Sequence, residues 1–180
     1  MAFVEEDGTG LSTSNSYVSV SFADTYFSDR GNATWAAATT GDKQAALVKA
    51  TDYIDKLFGP KFRGFKQSQS QALEWPRIGA LDNDDYLLNG VSLDAIPRAL
   101  QKATCEYAVR ALSATLAPDN SNVGVNVTRN KVGPIETEQE LQTSGGTGVV
   151  SPSSLPDYPE AALWMQELLK TRVNRQLRRG

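Results

Sequence analysis

The residues with the clearest potential for chemistry are the acidic side chains in the stretch LDNDDYLLNG. Asp82, Asn83, Asp84 and Asp85 form the only acidic cluster with a hint of metal-ligand spacing, and the loop to compare it with is the EF-hand calcium loop. Such a loop also needs glycine at its sixth position and glutamate at its twelfth, where this sequence has Leu87 and Leu93. We therefore interpret the stretch as an exposed acidic turn, and we predict no metal site.

The composition removes the usual catalytic side chains. The sequence contains no histidine and a single cysteine, Cys105. This excludes Ser-His and Cys-His nucleophiles and a structural zinc site. The carboxylates of Glu5 and Glu6 have no acid–base partner close to them in the sequence. The sequence therefore predicts a protein that is not an enzyme and that binds no cofactor.

The tripeptide Trp75-Pro76-Arg77 allows two interpretations. Trp75 could stack on a nucleobase while Arg63, Lys66 and Arg77 contact phosphates. Alternatively, Trp75 fills the gap between two helices and Arg77 pairs with a carboxylate nearby in the chain. The surplus of positive charge around these residues is small, which favours the structural alternative and leaves nucleic-acid binding open.

Charge is unevenly distributed along the chain. The segment KTRVNRQLRRG, residues 170–180, carries five cations and no acid, whereas the whole chain has a net charge of −3, so residues 1–169 sum to −8. An acidic body is poorly suited to gripping phosphates, but a basic tail can reach an acidic partner. The N-terminus is acidic and no apolar run approaches the roughly 20 residues of a membrane span, so we expect a cytoplasmic protein without a signal peptide.

The spacing of apolar residues at three and four positions predicts a mainly α fold, a small helical bundle. The third long helix is expected to begin at Asp94 as N-cap, with Pro97 in its first turn, and the last helix to begin at Asp157. Helices are predicted over residues 20–30, around Trp35, over 41–58, over 70–75, from Asp94 to about Leu116, and over 159–178.

A β-hairpin is predicted after this bundle, because the apolar residues change to a period of two. The pattern begins near Val123, turns near residues 129–131 and ends near residue 136. A lone hairpin is marginally stable in water, so it must lie on the helices or on a neighbouring subunit. The residues that could make such contacts are Val125, Val127, Arg129, Lys131, Val132 and Ile135.

These patterns divide the chain into four segments. They are a helical body at residues 1–118, a β-hairpin or extended loop at 119–141, a flexible linker at 142–156, and an amphipathic basic helix at 157–180. The basic residues of the last helix could complement its dipole, bind nucleic acid, or form a docking arm on a partner, and the linker favours the arm. We then expect removal of residues 155–180 to leave a folded body.

Several stretches together resemble a known family. They include ATDYIDKLF, FRGFKQSQSQALEWPRIGALDNDDYLLNGVSLDAIPRALQKA and NKVGPIETE. The resemblance covers most of residues 3–136 and is to head proteins of tailed bacteriophages, a set also named DnaT-like single-stranded-DNA-binding proteins. It implies a head-to-tail adaptor, with single-stranded-DNA binding in replication or packaging as the alternative.

The resemblance also implies partners and a place in the virion. An adaptor of this type would form a homo-oligomeric ring, a dodecamer, beneath the portal protein and would join it to a tail, stopper or nozzle protein. Packaged DNA would pass through the lumen, and the protein would reside in the virion neck after assembly in the host cytoplasm. The candidate portal-binding residues are Trp164, Met165, Leu168, Leu169, Arg172, Val173, Arg175, Leu177, Arg178 and Arg179.

Overall fold

We describe the fold from a computed structural model. It describes residues 2–81, 87, 96–117, 126–132, 135–141 and 158–169. The chain divides into two compact units, one formed by Met1–Leu116 with Asp157–Gly180 and the other by Ala117–Pro156. The protein is mainly helical with a small antiparallel hairpin, as the sequence predicts.

The described residues contain five α-helices and four strands, joined by loops. The helices are α1 (Val20–Ser28), α2 (Ala33–Ala37), α3 (Thr40–Phe58), α4 (Arg98–Ser113) and α5 (Pro159–Gln166), and the strands are β1 (Phe65–Lys66), β2 (Arg77–Ile78), β3 (Asn126–Val132) and β4 (Ile135–Leu141). Strands β1 and β2 pair with each other, as do β3 and β4, both in antiparallel orientation. No described helix is both long and apolar enough to cross a membrane.

Side-chain caps explain where the first two helices begin. The hydroxyl oxygen of Ser19 accepts a hydrogen bond from the Phe22 amide at 3.1 Å, and the Asn32 amide oxygen accepts one from the Trp35 amide at 3.0 Å. Each bond satisfies an amide that has no partner within its helix. Trp35 is 1% exposed and lies against Phe27, with ring centroids 4.8 Å apart. The helix predicted around Trp35 is therefore confirmed, and it places Trp35 in the core.

Helices α3 and α4 form the centre of the first unit and pack against each other. The helix predicted over residues 41–58 is confirmed, and Leu47, Ala50 and Ile54, three and four positions apart on it, are fully buried. Helix α4 begins at Arg98, directly after Pro97. The predicted cap, Asp94, lies outside the described residues.

A polar network joins α4 to α1 and α5. The Tyr26 hydroxyl donates to Glu106 Oε1 at 2.8 Å, and Arg110 donates to Glu106 Oε2 at 2.8 Å and to Glu160 Oε2 at 3.2 Å. Glu106 is only 4% exposed. A buried carboxylate is costly unless it is paired and hydrogen-bonded, and these contacts meet both conditions.

The helix predicted over residues 70–75 is wrong. This segment is a series of turns organised by the side chain of Gln71. Its amide oxygen accepts from the Ser68 amide at 2.8 Å, and its amide nitrogen donates to the carbonyls of Leu73 at 2.8 Å and Pro76 at 3.1 Å. The side chain thus satisfies backbone groups that a helix would have paired internally. The Trp75–Pro76 peptide bond is cis.

The second unit contains the predicted hairpin, but its turn falls later in the chain than expected. Strand β3 continues to Val132, which pairs with Ile135 at the start of β4. The two residues between the strands are Gly133 and Pro134, types that favour turns, whereas the expected turn at residues 129–131 is part of β3. The alternating pattern therefore identified the hairpin and misplaced its turn by about three residues.

The last helix is shorter than predicted and belongs to the body. Helix α5 ends at Gln166 instead of about residue 178, and it packs against α4. The chain then leaves the helix, because the Leu168 carbonyl accepts from the Arg63 amide at 3.1 Å and Leu169 pairs with Phe62 in a short antiparallel bridge. Residues 142–156, predicted to be a linker, lie outside the described residues.

Candidate functional site

The side chains first considered for nucleic-acid binding lie close together but serve the fold. Trp75 is completely buried and packs edge-on against Phe62, with ring centroids 5.8 Å apart. An indole without exposed surface cannot stack on a base. This contradicts the nucleic-acid interpretation of Trp75 and supports its alternative role in the core.

Arg77 is held by acceptors of its own chain. Its Nε donates to the Arg63 carbonyl at 2.8 Å, its Nη2 to the Gly64 carbonyl at 2.9 Å, and its Nη1 to Glu74 Oε2 at 2.9 Å. Only 7% of the residue is exposed. The predicted pairing of Arg77 with a local carboxylate is therefore confirmed, and its assignment to a phosphate is wrong.

The two remaining cations of that group also have partners within the chain. Lys66 forms an ion pair with Glu74 at 3.2 Å. Arg63 donates from Nε to the Leu169 carbonyl at 2.8 Å and from Nη1 to the Leu81 carbonyl at 2.7 Å. These contacts fix the ribbon of β1 and β2 on the body. Both side chains are thus engaged within the chain, whereas the nucleic-acid interpretation assigned them to phosphates.

A buried hydrogen-bond network fixes the chain just before β2. The Tyr17 hydroxyl donates to Asp55 Oδ1 and accepts from the backbone amides of Glu74 and Trp75 at 3.1 and 3.3 Å. Asp55 Oδ2 accepts from the Glu74 amide at 3.0 Å. Burial raises the pKa of the Asp55 carboxyl to about 6, against the opposing effect of these hydrogen bonds.

We expect this network to make stability depend on pH. Because folding raises the pKa of Asp55 from 3.8 to about 6, protonation of this carboxyl stabilises the folded state. The stabilisation is fully present below pH 3.8 and is lost as pH rises through about 6. The loss is on the order of 3 kcal/mol. Urea unfolding at pH 4 and pH 7 should show a smaller difference for Asp55→Asn than for the unchanged protein. An equal difference in both proteins would contradict the assignment.

A second carboxylate organises the N-terminal loop, and sequence analysis did not identify its role. Glu6 is 2% exposed, and its carboxylate accepts from the amides of Gly10 and Leu11 at 2.8 and 3.1 Å and from the Ser14 hydroxyl at 2.7 Å. The Leu11 carbonyl in turn accepts from the Ala72 amide at 3.0 Å. The loop thereby supports the segment between β1 and β2. A glutamate followed by Gly, Ser and Thr was the available signal.

An exposed apolar surface lies on and beside the ribbon that these networks fix. Phe65 is 79% exposed and pairs across the ribbon with Ile78, which is 45% exposed. Leu81 and Leu87, each 37% exposed, pair in a short bridge that follows. We call these four residues the hairpin surface. Sequence analysis missed it because strands of two residues leave no periodicity to read.

The turn into β1 depends on Gly64. Its φ of +70° lies in the left-handed region, and a Cβ at this position would collide with the Ile78 carbonyl oxygen. Only glycine lets the two strands approach this closely. Gly64 therefore holds Phe65 beside Ile78 on the hairpin surface.

The candidate portal-binding residues are divided by the structure. Met165 and Leu168 are completely buried in the first unit, so the proposal that they contact a partner is wrong. Trp164 is half-buried, with Lys102 Nζ 4.0 Å from its ring centroid, and Leu169 is held in the bridge to Phe62. The other members of that set lie outside the described residues: Arg172, Val173, Arg175, Leu177, Arg178 and Arg179.

The hairpin residues proposed for contacts lie in β3 and β4, except Val125, which is outside the described residues. The register places Arg129 opposite Glu138 and Lys131 opposite Glu136. Within the described part of the chain, no cluster of three or more acidic or cysteine side chains could hold a metal ion.

Comparison with known proteins identifies a family. A family model described as "Putative DnaT-like ssDNA binding protein" matches residues 1–180, the entire chain. Neither the curated proteins nor the solved structures gave a match. A match over the whole length includes the helical body, the β1–β2 ribbon and the β3–β4 hairpin. The chain therefore belongs to the DnaT-like single-stranded-DNA-binding protein family.

Proposed function

We propose that this protein is a structural head-to-tail adaptor of a tailed phage. It would form a ring under the portal protein at the virion neck, join the portal to the tail, and let DNA pass through the channel. The observation that carries the proposal is the hairpin surface. Among the described residues, it contains four of the five large apolar side chains that are exposed. Exposed apolar side chains on and beside one short ribbon are typical of protein contacts.

The charge distribution supports the same function. A net charge of −8 over residues 1–169 would make the wall of a channel that repels DNA and allows it to slide. The five cations of residues 170–180 would contact an acidic region of the portal protein. With Met165 and Leu168 buried, we now place portal binding in this terminal segment and in the half-buried Trp164.

The hairpin surface would join neighbouring subunits. Contact between two different surfaces of identical chains produces a ring when the rotation between subunits closes. The resemblance noted above implies twelve copies. The β3–β4 hairpin is the second proposed contact, through residues such as Val127 and Ile135. Within the described residues its two strands pair only with each other, so each has an edge that a neighbour can cover.

Replacing Phe65 and Ile78 together by aspartate should prevent assembly without unfolding the protein. Both side chains are exposed, so the melting temperature should stay within a few degrees. In a contact between subunits, by contrast, the two carboxylates would be buried, and this cost would prevent assembly. The measurement is electron microscopy of portal rings incubated with each protein. Leu163→Asp is the matched control, because Leu163 is 64% exposed on α5, outside the hairpin surface. Rings decorated equally by all three proteins would refute the proposed role.

Single-stranded-DNA binding is the second candidate function, and family membership favours it. The residues first considered for it are Arg63, Lys66, Trp75 and Arg77, whose side chains are engaged in the fold. A binding surface for single strands must therefore lie elsewhere. Titration of a labelled oligonucleotide at near-physiological salt, beside the portal assay, separates the two candidate functions.

A further inference from the structure

A cleft in the first unit collects three cations at one place. It has a volume of about 610 Å³ and is lined by α1, by the residues that follow α1, and by the first turns of α4. The cations are Arg30, Arg98 and Lys102. Arg98 and Lys102 are one helical turn apart on α4, so both can face the same ligand. Neither the charge run at the C-terminus nor the stretch around Trp75 includes these residues.

Two of the cations are held in position by aromatic rings. The guanidinium carbon of Arg30 lies 3.6 Å from the Tyr26 ring centroid, and Nη1 donates to the Tyr26 carbonyl at 2.9 Å. Arginine has five N–H donors, so this arrangement leaves others that can bind a ligand. Lys102 Nζ lies 4.0 Å from the ring centroid of Trp164. A ring orients a cation without neutralising it.

Among the residues that the structure describes, none of the three cations is paired with a carboxylate. No ion pair in the described part of the chain includes Arg30, Arg98 or Lys102. Of the described residues that line the cleft, Asp29 alone is acidic, so the charges of these lining side chains sum to +2. The three cations repel one another within a concave site, although residues 1–169 have a net charge of −8. An anion bound in the cleft would reduce this repulsion.

We propose that this cleft binds the phosphates of a single-stranded nucleic acid. The inference rests on the second candidate function and gives it a location. Phe22 lines the same cleft and is half-buried, so part of its ring can stack on a base. Cations that contact the backbone beside an aromatic ring are the combination by which proteins bind single strands. An acidic protein segment would use the cations but not the ring.

The test is fluorescence anisotropy of a labelled thymidine oligomer with the full chain at several salt concentrations. The double variant Arg98→Gln/Lys102→Gln should bind about 100-fold more weakly, about tenfold for each lost charged contact. The slope of log K against log salt should fall by about 1.4, since each contact with a single strand contributes about 0.7. Phe22→Leu should weaken binding about tenfold without changing the slope.

Lys49→Gln/Lys56→Gln is the matched control, because it removes the same charge from exposed positions on α3. It should bind within about twofold of the unchanged protein if contacts in the cleft, and not net charge, decide affinity. Equal weakening by both double variants would overturn the cleft while leaving single-strand binding intact. No binding by the unchanged protein at low salt would overturn both. A polyglutamate peptide that binds the cleft in place of the oligomer would also overturn the proposal.

Discussion

Replacing Trp75 by alanine should lower the free energy of unfolding by about 3–5 kcal/mol, the loss expected when a large buried aromatic side chain is removed. Trp75 is completely buried against Phe62, and the amide of the residue is tied to Tyr17 at 3.3 Å. The substitution leaves a cavity beside a network that fixes β2. Chemical denaturation with two probes, circular dichroism and fluorescence of the remaining tryptophans, gives the change.

Trp75→Phe is the control for the cause of this loss. Within the described part of the chain, Trp75 Nε1 has no hydrogen-bond acceptor, so phenylalanine removes volume but breaks no hydrogen bond. We expect it to lose less than half of what alanine loses. Equal losses for phenylalanine and alanine would show that the indole makes a polar contact that the packing does not explain. An unchanged stability of Trp75→Ala would refute the core assignment.

Ending the chain after residue 156 should unfold the body, in contrast to the expectation drawn from the sequence. The truncation removes α5 and with it Met165 and Leu168, both completely buried. Each such side chain contributes about 1.5–3 kcal/mol, a large part of the 5–15 kcal/mol typical of a whole domain. It also removes the carbonyls of Leu168 and Leu169, which accept hydrogen bonds from Arg63. Thermal denaturation followed by circular dichroism should show a broadened transition or none.

Ending the chain after residue 169 separates folding from attachment. This truncation keeps α5 and the bridge of Leu169 to Phe62, and it removes only the segment with five cations. The melting temperature should remain within a few degrees, while decoration of portal rings should be lost if that segment binds the portal. A stable protein that still decorates rings would contradict the proposed role of residues 170–180. A protein that unfolds would show that these residues also support the body.

Sequence patterns predicted the elements that depend on local information. The stripe of Leu47, Ala50 and Ile54 on α3 reflects burial on one side of the helix, which periodicity records directly. The helix predicted over residues 70–75 failed because a single side chain, Gln71, satisfied the backbone instead. No pattern of hydrophobicity carries that information.

The candidate site was harder to predict, because distant contacts determine it. The hairpin surface depends on Gly64, on the pairing of Phe65 with Ile78, and on networks that reach Tyr17 and Glu6. Residues far apart in sequence form these contacts, so composition does not reveal them. The basic residues near the C-terminus suggested that residues 157–180 form a separate arm. The first part of this segment, with the buried Met165 and Leu168, instead completes the core of the body.

The bridge between Phe62 and Leu169 has a consequence for biosynthesis and for variation. The hydrogen bond from Arg63 to Leu169 spans 106 positions, so this contact cannot form until residue 169 has left the ribosome. The Ala117–Pro156 unit is thus an insertion between the two segments of the chain that together form the first unit. Doubling the length of such an insertion costs only about 0.6 kcal/mol in closure entropy. Evolution can therefore lengthen, shorten or exchange this unit while the surrounding framework stays intact.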